Sequence, residues 1–154
     1  LYAQAEPLLK HVLECDEKVL GAGHPSVATD LNNLADLYRV QGQAVLAESL
    51  YCRALAIWEN LLGREHPDVA SGLNNLASLY FSQGKVAQAE PLFRRALAIR
   101  EKMARPDDPD LVCSLENLAL ICRASGRQAE AVALERRAAA IRASKRQERK
   151  TGAP

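Results

Sequence analysis

The sequence has almost no excess of either charge. Twenty basic side chains face nineteen acidic ones, the formal net charge is +1, and the isoelectric point is about 7.9. A nucleic-acid binder needs a basic stripe to meet phosphates. The one basic cluster here lies in the last dozen residues, ASKRQERKTGAP, so no nucleic-acid partner is expected. Long apolar runs are missing as well. None approaches the roughly eighteen residues that a membrane span needs, and no secretory signal is visible. No membrane partner is expected either. Residue 1 is Leu rather than Met, so the sequence is read without assuming that it starts a chain.

Metal and catalytic signatures are absent too. Cys15, Cys52, Cys113 and Cys122 form no C-x-x-C pair, which speaks against a zinc or thioredoxin-like site. Cys113 and Cys122 fall on opposite faces of one predicted helix at about 100° per residue. The expectation is four reduced thiols in a reducing compartment, the cytoplasm. No H-E-x-x-H, G-x-S-x-G or P-loop pattern occurs. His24 and His66 stand at equivalent loop sites before a proline, which points to a repeated structural role. No enzymatic activity, metal or cofactor is expected. The acidic residues are scattered over helix faces, where they read as solvated groups or i,i+4 partners.

What the chain does have is repetition. LNNLA occurs at Leu31–Ala35 and again at Leu73–Ala77, 42 residues on (73 − 31). HPSVATDLNNLADLYRVQGQ from His24, HPDVASGLNNLASLYFSQGK from His66 and DPDLVCSLENLALICRASGR from Asp108 align in that register. Pro25, Pro67 and Pro109 are evenly spaced, and so are Gly42, Gly84 and Gly126. A second block follows each glycine: LAESLYCRALAI, AQAEPLFRRALAI and AEAVALERRAAAI. The chain opens with the same block, AQAEPLLKHVLEC.

Each repeat reads as two helices. Leu31, Leu34, Ala35 and Tyr38 follow i, i+3, i+4, i+7 and make one helical face. Proline suits the first turn, where an N–H has no partner anyway, and glycine ends the helix. Ala47, Leu50, Tyr51, Ala54, Leu55 and Ile57 form the inner face of the second helix. Neither helix buries its face alone, so neighbouring repeats must stack. Alanine recurs at 35, 77 and 119 and at 54, 96 and 138, where a larger side chain would overpack the seam. Pro7 and Pro91 fall inside predicted second helices and should kink or delay them.

On the face opposite Leu31 and Leu34 lie Thr29, Asn33, Asp36 and Val40. The equivalents are Ser71, Asn75, Ser78 and Ser82, then Cys113, Asn117, Leu120 and Ala124. Asn33, Asn75 and Asn117 thus form a ladder with one rung per repeat, while Asn32 and Asn74 flank the core. Phe81 takes a flank position held by Arg39 and Arg123 in the sibling repeats, and is expected as an exposed aromatic. Trp58 stands where Asp16, Arg100 and Arg142 stand, and is expected at the surface for the same reason.

Leu31, Leu34, Ala35, Tyr38, Ala47 and Tyr51 resemble the tetratricopeptide repeat, with its aromatic and small residues at fixed spacing. Leu73, Leu76, Ala77, Tyr80, Ala89 and Phe93 match again. Leu115, Leu118, Ala119, Cys122, Ala131 and Glu135 match less well, since Cys122 and Glu135 depart from the pattern. The usual period of 34 is exceeded by eight residues, about two helical turns. LNNLA, QGK, AEPL, RALAIRE and HPDVA resemble the kinesin light chain class of this repeat, which also occurs in nephrocystin-3 and in many bacterial multi-repeat proteins. The resemblance implies an all-α fold, a right-handed solenoid of stacked antiparallel helix pairs with about seven helices. Its divisions would be a half repeat at 1–23, repeats at 24–65 and 66–107, a degenerate last repeat at 108–143, and a frayed basic tail at 144–154.

The resemblance also implies function. First helices line the concave groove of such arrays, so the groove would present Asn33, Asn75, Asn117, Asp36, Ser78, Arg39, Phe81, Arg123, Ser71 and Ser82 to a peptide. An amide both donates and accepts and can hold an extended backbone whatever its side chains. Three such bonds net roughly 0.5–1.5 kcal/mol each, against about 8 kcal/mol for micromolar binding. An apolar or charged anchor must add the rest, with Phe81 as the candidate. The basic groove residues of a carboxylate clamp are missing. The implied function is a non-catalytic scaffold for a partner protein or peptide. The alternative is a structural spacer or self-association module, monomeric or weakly associating.

Overall fold

A computed structural model of the chain describes residues 2–103 and 108–151, with side chains described for 5–103 and 108–144. Seven helices run through them: α1 (Tyr2–Leu20), α2 (Pro25–Val40), α3 (Ala44–Leu62), α4 (Pro67–Ser82), α5 (Val86–Met103), α6 (Pro109–Ala124) and α7 (Gln128–Thr151). Among the described residues no helix is long and apolar enough to cross a membrane.

Local chemistry sets the helix ends. Pro25, Pro67 and Pro109 open α2, α4 and α6, and the residue before each one caps it. The Nδ1 of His24 accepts from the Ser26 N–H at 3.2 Å, and that of His66 from the Asp68 N–H at 3.2 Å. Asp108 Oδ1 does the same for Asp110 at 2.9 Å. The histidines therefore cap helices, with a ring nitrogen in place of the usual oxygen. At the other end Gly42, Gly84 and Gly126 have φ of +76°, +73° and +75°, a region open to glycine. The next N–H folds back onto the carbonyl of Tyr38, Tyr80 or Cys122 at 2.8–2.9 Å, closing a Schellman motif.

The helices stack as an all-α solenoid. α2 packs on α3, α4 on α5 and α6 on α7, and each second helix also meets the first helix that follows it. First helices touch one another directly, α2 against α4 and α4 against α6. Among the described residues no two consecutive second helices approach as closely. The array therefore curves with α2, α4 and α6 on its inside. Ala35, Ala77, Ala54 and Ala96 are fully buried in the seams, as are Tyr51 and Phe93 at the centre of two linked cores.

Four expectations change. Pro7 and Pro91 lie inside α1 and α5, which run on unbroken. Pro91 forfeits only the bond to the Ala87 carbonyl, near the start of α5. α7 continues to Thr151, so 144–151 is helical rather than a frayed tail, because no glycine or proline interrupts it before Gly152; residues 152–154 lie outside the described residues. Trp58 is buried at 4% exposure. Its ring covers Gly72, which has no side chain where Asp30 and Ser114 stand in the other repeats. Its counterpart Arg100 is also buried, with its guanidinium on Ser71 Oγ at 2.6 Å and Asp110 at 3.0 Å. An arginine at this site thus says nothing about exposure.

The acidic residues are not merely scattered. Glu17–Arg53, Glu59–Arg95 and Glu101–Arg137 pair at 2.5, 2.5 and 2.7 Å. Each pair joins one second helix to the next across the wider outer gap, which only long side chains span. A parallel series fixes register nearer the core. Tyr38 donates to Glu6 at 3.2 Å and Tyr80 to Glu48 at 2.8 Å. Burial, and then the Glu48 bond, push the Tyr80 phenol up to about 12. In the third repeat Cys122 replaces the tyrosine and is buried. There Glu90 takes Arg127 at 2.7 Å instead, and that bond leads the causes holding its carboxyl below the usual range.

Candidate functional site

The inner face is built by α2, α4 and α6, so the outward stripe of each first helix faces the hollow of the array. The paired asparagines divide their work there. The first of each pair couples repeats. Asn32 Oδ1 accepts from Asn75 Nδ2 at 3.0 Å, and Asn74 Nδ2 donates to Ser114 Oγ at 3.1 Å. The second of each pair points toward the hollow to differing degrees. Asn33 is exposed, and its amide has no hydrogen-bond partner among the described residues. Asn75 is half-buried and one N–H of its amide goes to Asn32, which leaves its other N–H and its carbonyl for other partners. Asn117 is half-buried and donates weakly to Cys113 Sγ at 3.7 Å.

Several expected groove residues are already engaged. Asp36 Oδ1 accepts from the Tyr51 hydroxyl at 2.6 Å, and the carboxylate also lies 3.5 Å from Arg39. Burial, and then Asp36, hold the Tyr51 phenol well above its ordinary range. Asp36 therefore ties α2 to α3 and is not a free acceptor. Ser71, Ser78 and Ser82 each donate to a carbonyl of their own helix, at 3.3, 2.8 and 2.7 Å, and Ser71 also accepts from Arg100. Phe81 is half-buried against the second core rather than exposed. The Arg123 guanidinium forks onto Glu135 at 2.8 and 2.7 Å. That bond raises the arginine and lowers the carboxyl. Glu135, which departs from the repeat pattern, thus has a charged partner on α6. Arg39 is exposed beside Asp36.

One contributor was passed over. Leu120, on the same stripe as Asp36 and Ser78, is 51% exposed. Its outward stripe position and its polar siblings Asp36 and Ser78 were the signal in the sequence that it would be uncovered. The inner face is therefore a mainly polar trough with a free amide at Asn33, an exposed leucine at Leu120 and an exposed thiol at Cys113. Among the described residues no group of three or more His, Cys, Asp or Glu side chains is placed to hold a metal.

Stacked helix pairs with this capping and these small-residue seams define a helical-repeat scaffold. The tetratricopeptide repeat model matches residues 1–57, 31–102 and 73–144, and the chain belongs to the tetratricopeptide repeat family. Among solved structures it is similar to BtubC (BKLC) from P. vanneervenii. That match has a TM-score of 0.86 and 32% identity over 94% of this chain and 58% of that one. It is also similar to a putative kinesin light chain from P. anserina with nearly identical TPR-like repeats. There the TM-score is 0.80 and the identity 32%, over 93% of this chain and 68% of that one. The chain thus spans less than two thirds of the length of BtubC. No curated protein matches it. The expected kinesin-light-chain-like class of repeat is borne out, and tetratricopeptide repeats are in general protein–protein interaction scaffolds.

Proposed function

We propose that the chain is a non-catalytic scaffold that holds an extended segment of a partner protein along the inner face of α2, α4 and α6. One observation carries this reading: the exposed amide of Asn33, unpartnered among the described residues, lies on the same face as an exposed apolar side chain, Leu120. The amide can donate to and accept from a peptide backbone. Leu120 supplies the apolar contact that amides alone lack, and fully burying a leucine is worth about 1.5–3 kcal/mol. The Asn75 carbonyl and the Asn117 amide extend the row. Arg39 offers a cation to an acidic side chain of the segment, whereas Arg123 would first have to leave Glu135.

The test is selection from a peptide display library on wild type, Asn33→Ala and Leu120→Asp. Enriched peptides should share an apolar residue at a fixed place and lose at least tenfold in affinity for both variants. Failure to enrich any peptide, or enrichment indifferent to both substitutions, would remove the inner face as a peptide-reading surface.

A further inference from the structure

A cavity of about 310 Å³ opens beside the outer rung Glu59–Arg95, away from the inner face. Arg64 and Glu65, from the loop between α3 and α4, line it together with Arg95, Ala98, Ile99 and Lys102 of α5. Three of these side chains are cations and one is a carboxylate. The cations are held differently. Arg95 is fixed, since it pairs with Glu59 at 2.5 Å and donates to the Arg64 carbonyl at 3.0 Å, which ties the loop to α5. Lys102 pairs with Glu65. The Arg64 side chain is exposed and makes no ion pair among the described residues. Stacking does not require this much positive charge. The arginine, alanine and isoleucine of α5 recur as Arg53, Ala56 and Ile57 and as Arg137, Ala140 and Ile141, so they belong to the frame of the repeat. Arg64 and Lys102 do not recur. Ala22 and Asn60 hold their places one repeat earlier, and Pro106 and Ser144 one repeat later.

We propose that this cavity binds the phosphate group of a monoester. Such a group carries about −1.5 to −2 charge at neutral pH and three acceptor oxygens, one for each of the cationic heads of Arg64, Arg95 and Lys102. Guanidinium forks match phosphate oxygens in geometry as well as charge. A carboxylate fits less well. It has two oxygens and one charge, and taking Lys102 from Glu65 would only exchange one carboxylate for another. A dianion gains on that exchange. Arg95 is already oriented by Glu59 and the loop carbonyl, so little ordering is left to oppose binding. Ala98 and the buried Ile99 give the carbon side of the ester a small apolar wall. The site shares no residue with the inner face and stands whether or not that face reads peptides.

The experiment compares phenyl phosphate with phenyl sulfate, which share a shape and differ in charge once the pH is above the second ionisation of the phosphate, at roughly 6. Each is titrated into the full chain, and heteronuclear NMR follows the Arg95 Nε–H and the Ile99 amide. Phenyl phosphate should shift both signals saturably and bind at least tenfold more tightly than phenyl sulfate. Arg64→Ala with Lys102→Asn installs the residues of the earlier seam, and should weaken phenyl phosphate at least tenfold with unchanged circular dichroism. Should that variant lose helicity, Arg64→Ala alone takes its place, since the Arg64 side chain is exposed. The absence of a saturable shift, equal affinity for the two esters, or a folded variant that binds as well as wild type would each overturn the proposal. A peptide bearing one phosphoserine is then titrated in the same way. Tighter binding than phenyl phosphate assigns the monoester to a phosphorylated partner protein, and equal or weaker binding assigns it to a free small molecule.

Discussion

The indole of Trp58 lies against the backbone of Gly72 so closely that a Cβ there would sit 3.0 Å from Cζ3 and 3.3 Å from Cε3. Leu55 closes the other side at 3.3 Å. Replacing a mid-helix glycine by alanine ordinarily gains about 1 kcal/mol. Here Gly72→Ala is expected to destabilise instead, because overpacking costs about 1–3 kcal/mol and the ring it would meet is itself buried. Urea unfolding followed by the fluorescence of the only tryptophan measures it, and a midpoint raised by the alanine would refute this packing. Trp58→Arg with Gly72→Ser should recover stability, because Thr29 and Asp68 stand where Ser71 and Asp110 hold Arg100.

The equivalent seam one repeat earlier, between α1 and α2, carries two carboxylates, Asp16 and Asp30. Burial, and then the Asp16 charge, raise the Asp30 carboxyl above its ordinary range. A raised carboxyl contributes stability that is complete below the ordinary carboxylate range and is lost as pH rises through its folded value. Asp30→Asn removes that loss. The variant should melt higher than wild type at neutral pH, with the difference shrinking toward zero in acid. A difference that stays constant across this range would mean that the fold does not raise the Asp30 carboxyl.

These seams also show how far the sequence could be read. The 42-residue period, the Pro and Gly punctuation and the apolar stripes are local signals, and they gave the helices and their stacking. Trp58 was misplaced because exposure was inferred from its siblings alone, whereas its burial depends on Gly72, fourteen residues on in the next repeat. The same offset links Asp16 to Asp30. The ladder Glu17–Arg53, Glu59–Arg95 and Glu101–Arg137 was legible in principle, each pair lying 36 residues apart in register with the repeat. Charged residues read one helix at a time gave no hint of it. Of the trough, the orientation of Asn33 followed from periodicity. The engagement of Asp36 by Tyr51 and of Arg123 by Glu135 depended on how the second helix of each pair lies against the first.

The outer ladder predicts a charge-swap result. Glu59→Arg should destabilise, and Arg95→Glu placed with it should restore most of the loss. An exposed pair of this kind is worth about 0.2–1 kcal/mol, so the effect is small and should fade as salt rises. Thermal melts at low and high salt give the coupling. Equal losses in the single and double variants would show that the rung does not hold the repeats together.

The two histidine caps can be exchanged for the carboxylate cap already used by α6. His66→Ala should cost about 1 kcal/mol by leaving the Asp68 N–H unpaired. His66→Asp should match or exceed wild type, because an acidic cap also favours the positive end of the helix dipole. Chemical denaturation ranks the three proteins, and an alanine variant as stable as wild type would show that the ring nitrogen contributes nothing.

LNNLA asks two different things of adjacent asparagines, and the difference can be measured. Asn32 accepts from Asn75 and donates to Asp36 at 3.4 Å, so it links α2 to α4 and supports the carboxylate that holds Tyr51. Asn33 makes no such bond among the described residues. Asn32→Ala should therefore lower stability by about 1–3 kcal/mol, the penalty for leaving the polar partner Asn75 unsatisfied. Asn33→Ala should leave stability unchanged or raise it slightly, since alanine is the better helix former. Peptide binding should respond in the opposite order. Asn33→Ala should weaken it at unchanged stability, whereas Asn32→Ala should act on binding only as far as it loosens the spacing of α2 and α4. Equal stability losses in the two variants would mean that both asparagines are structural, and that the trough keeps no free amide for a partner.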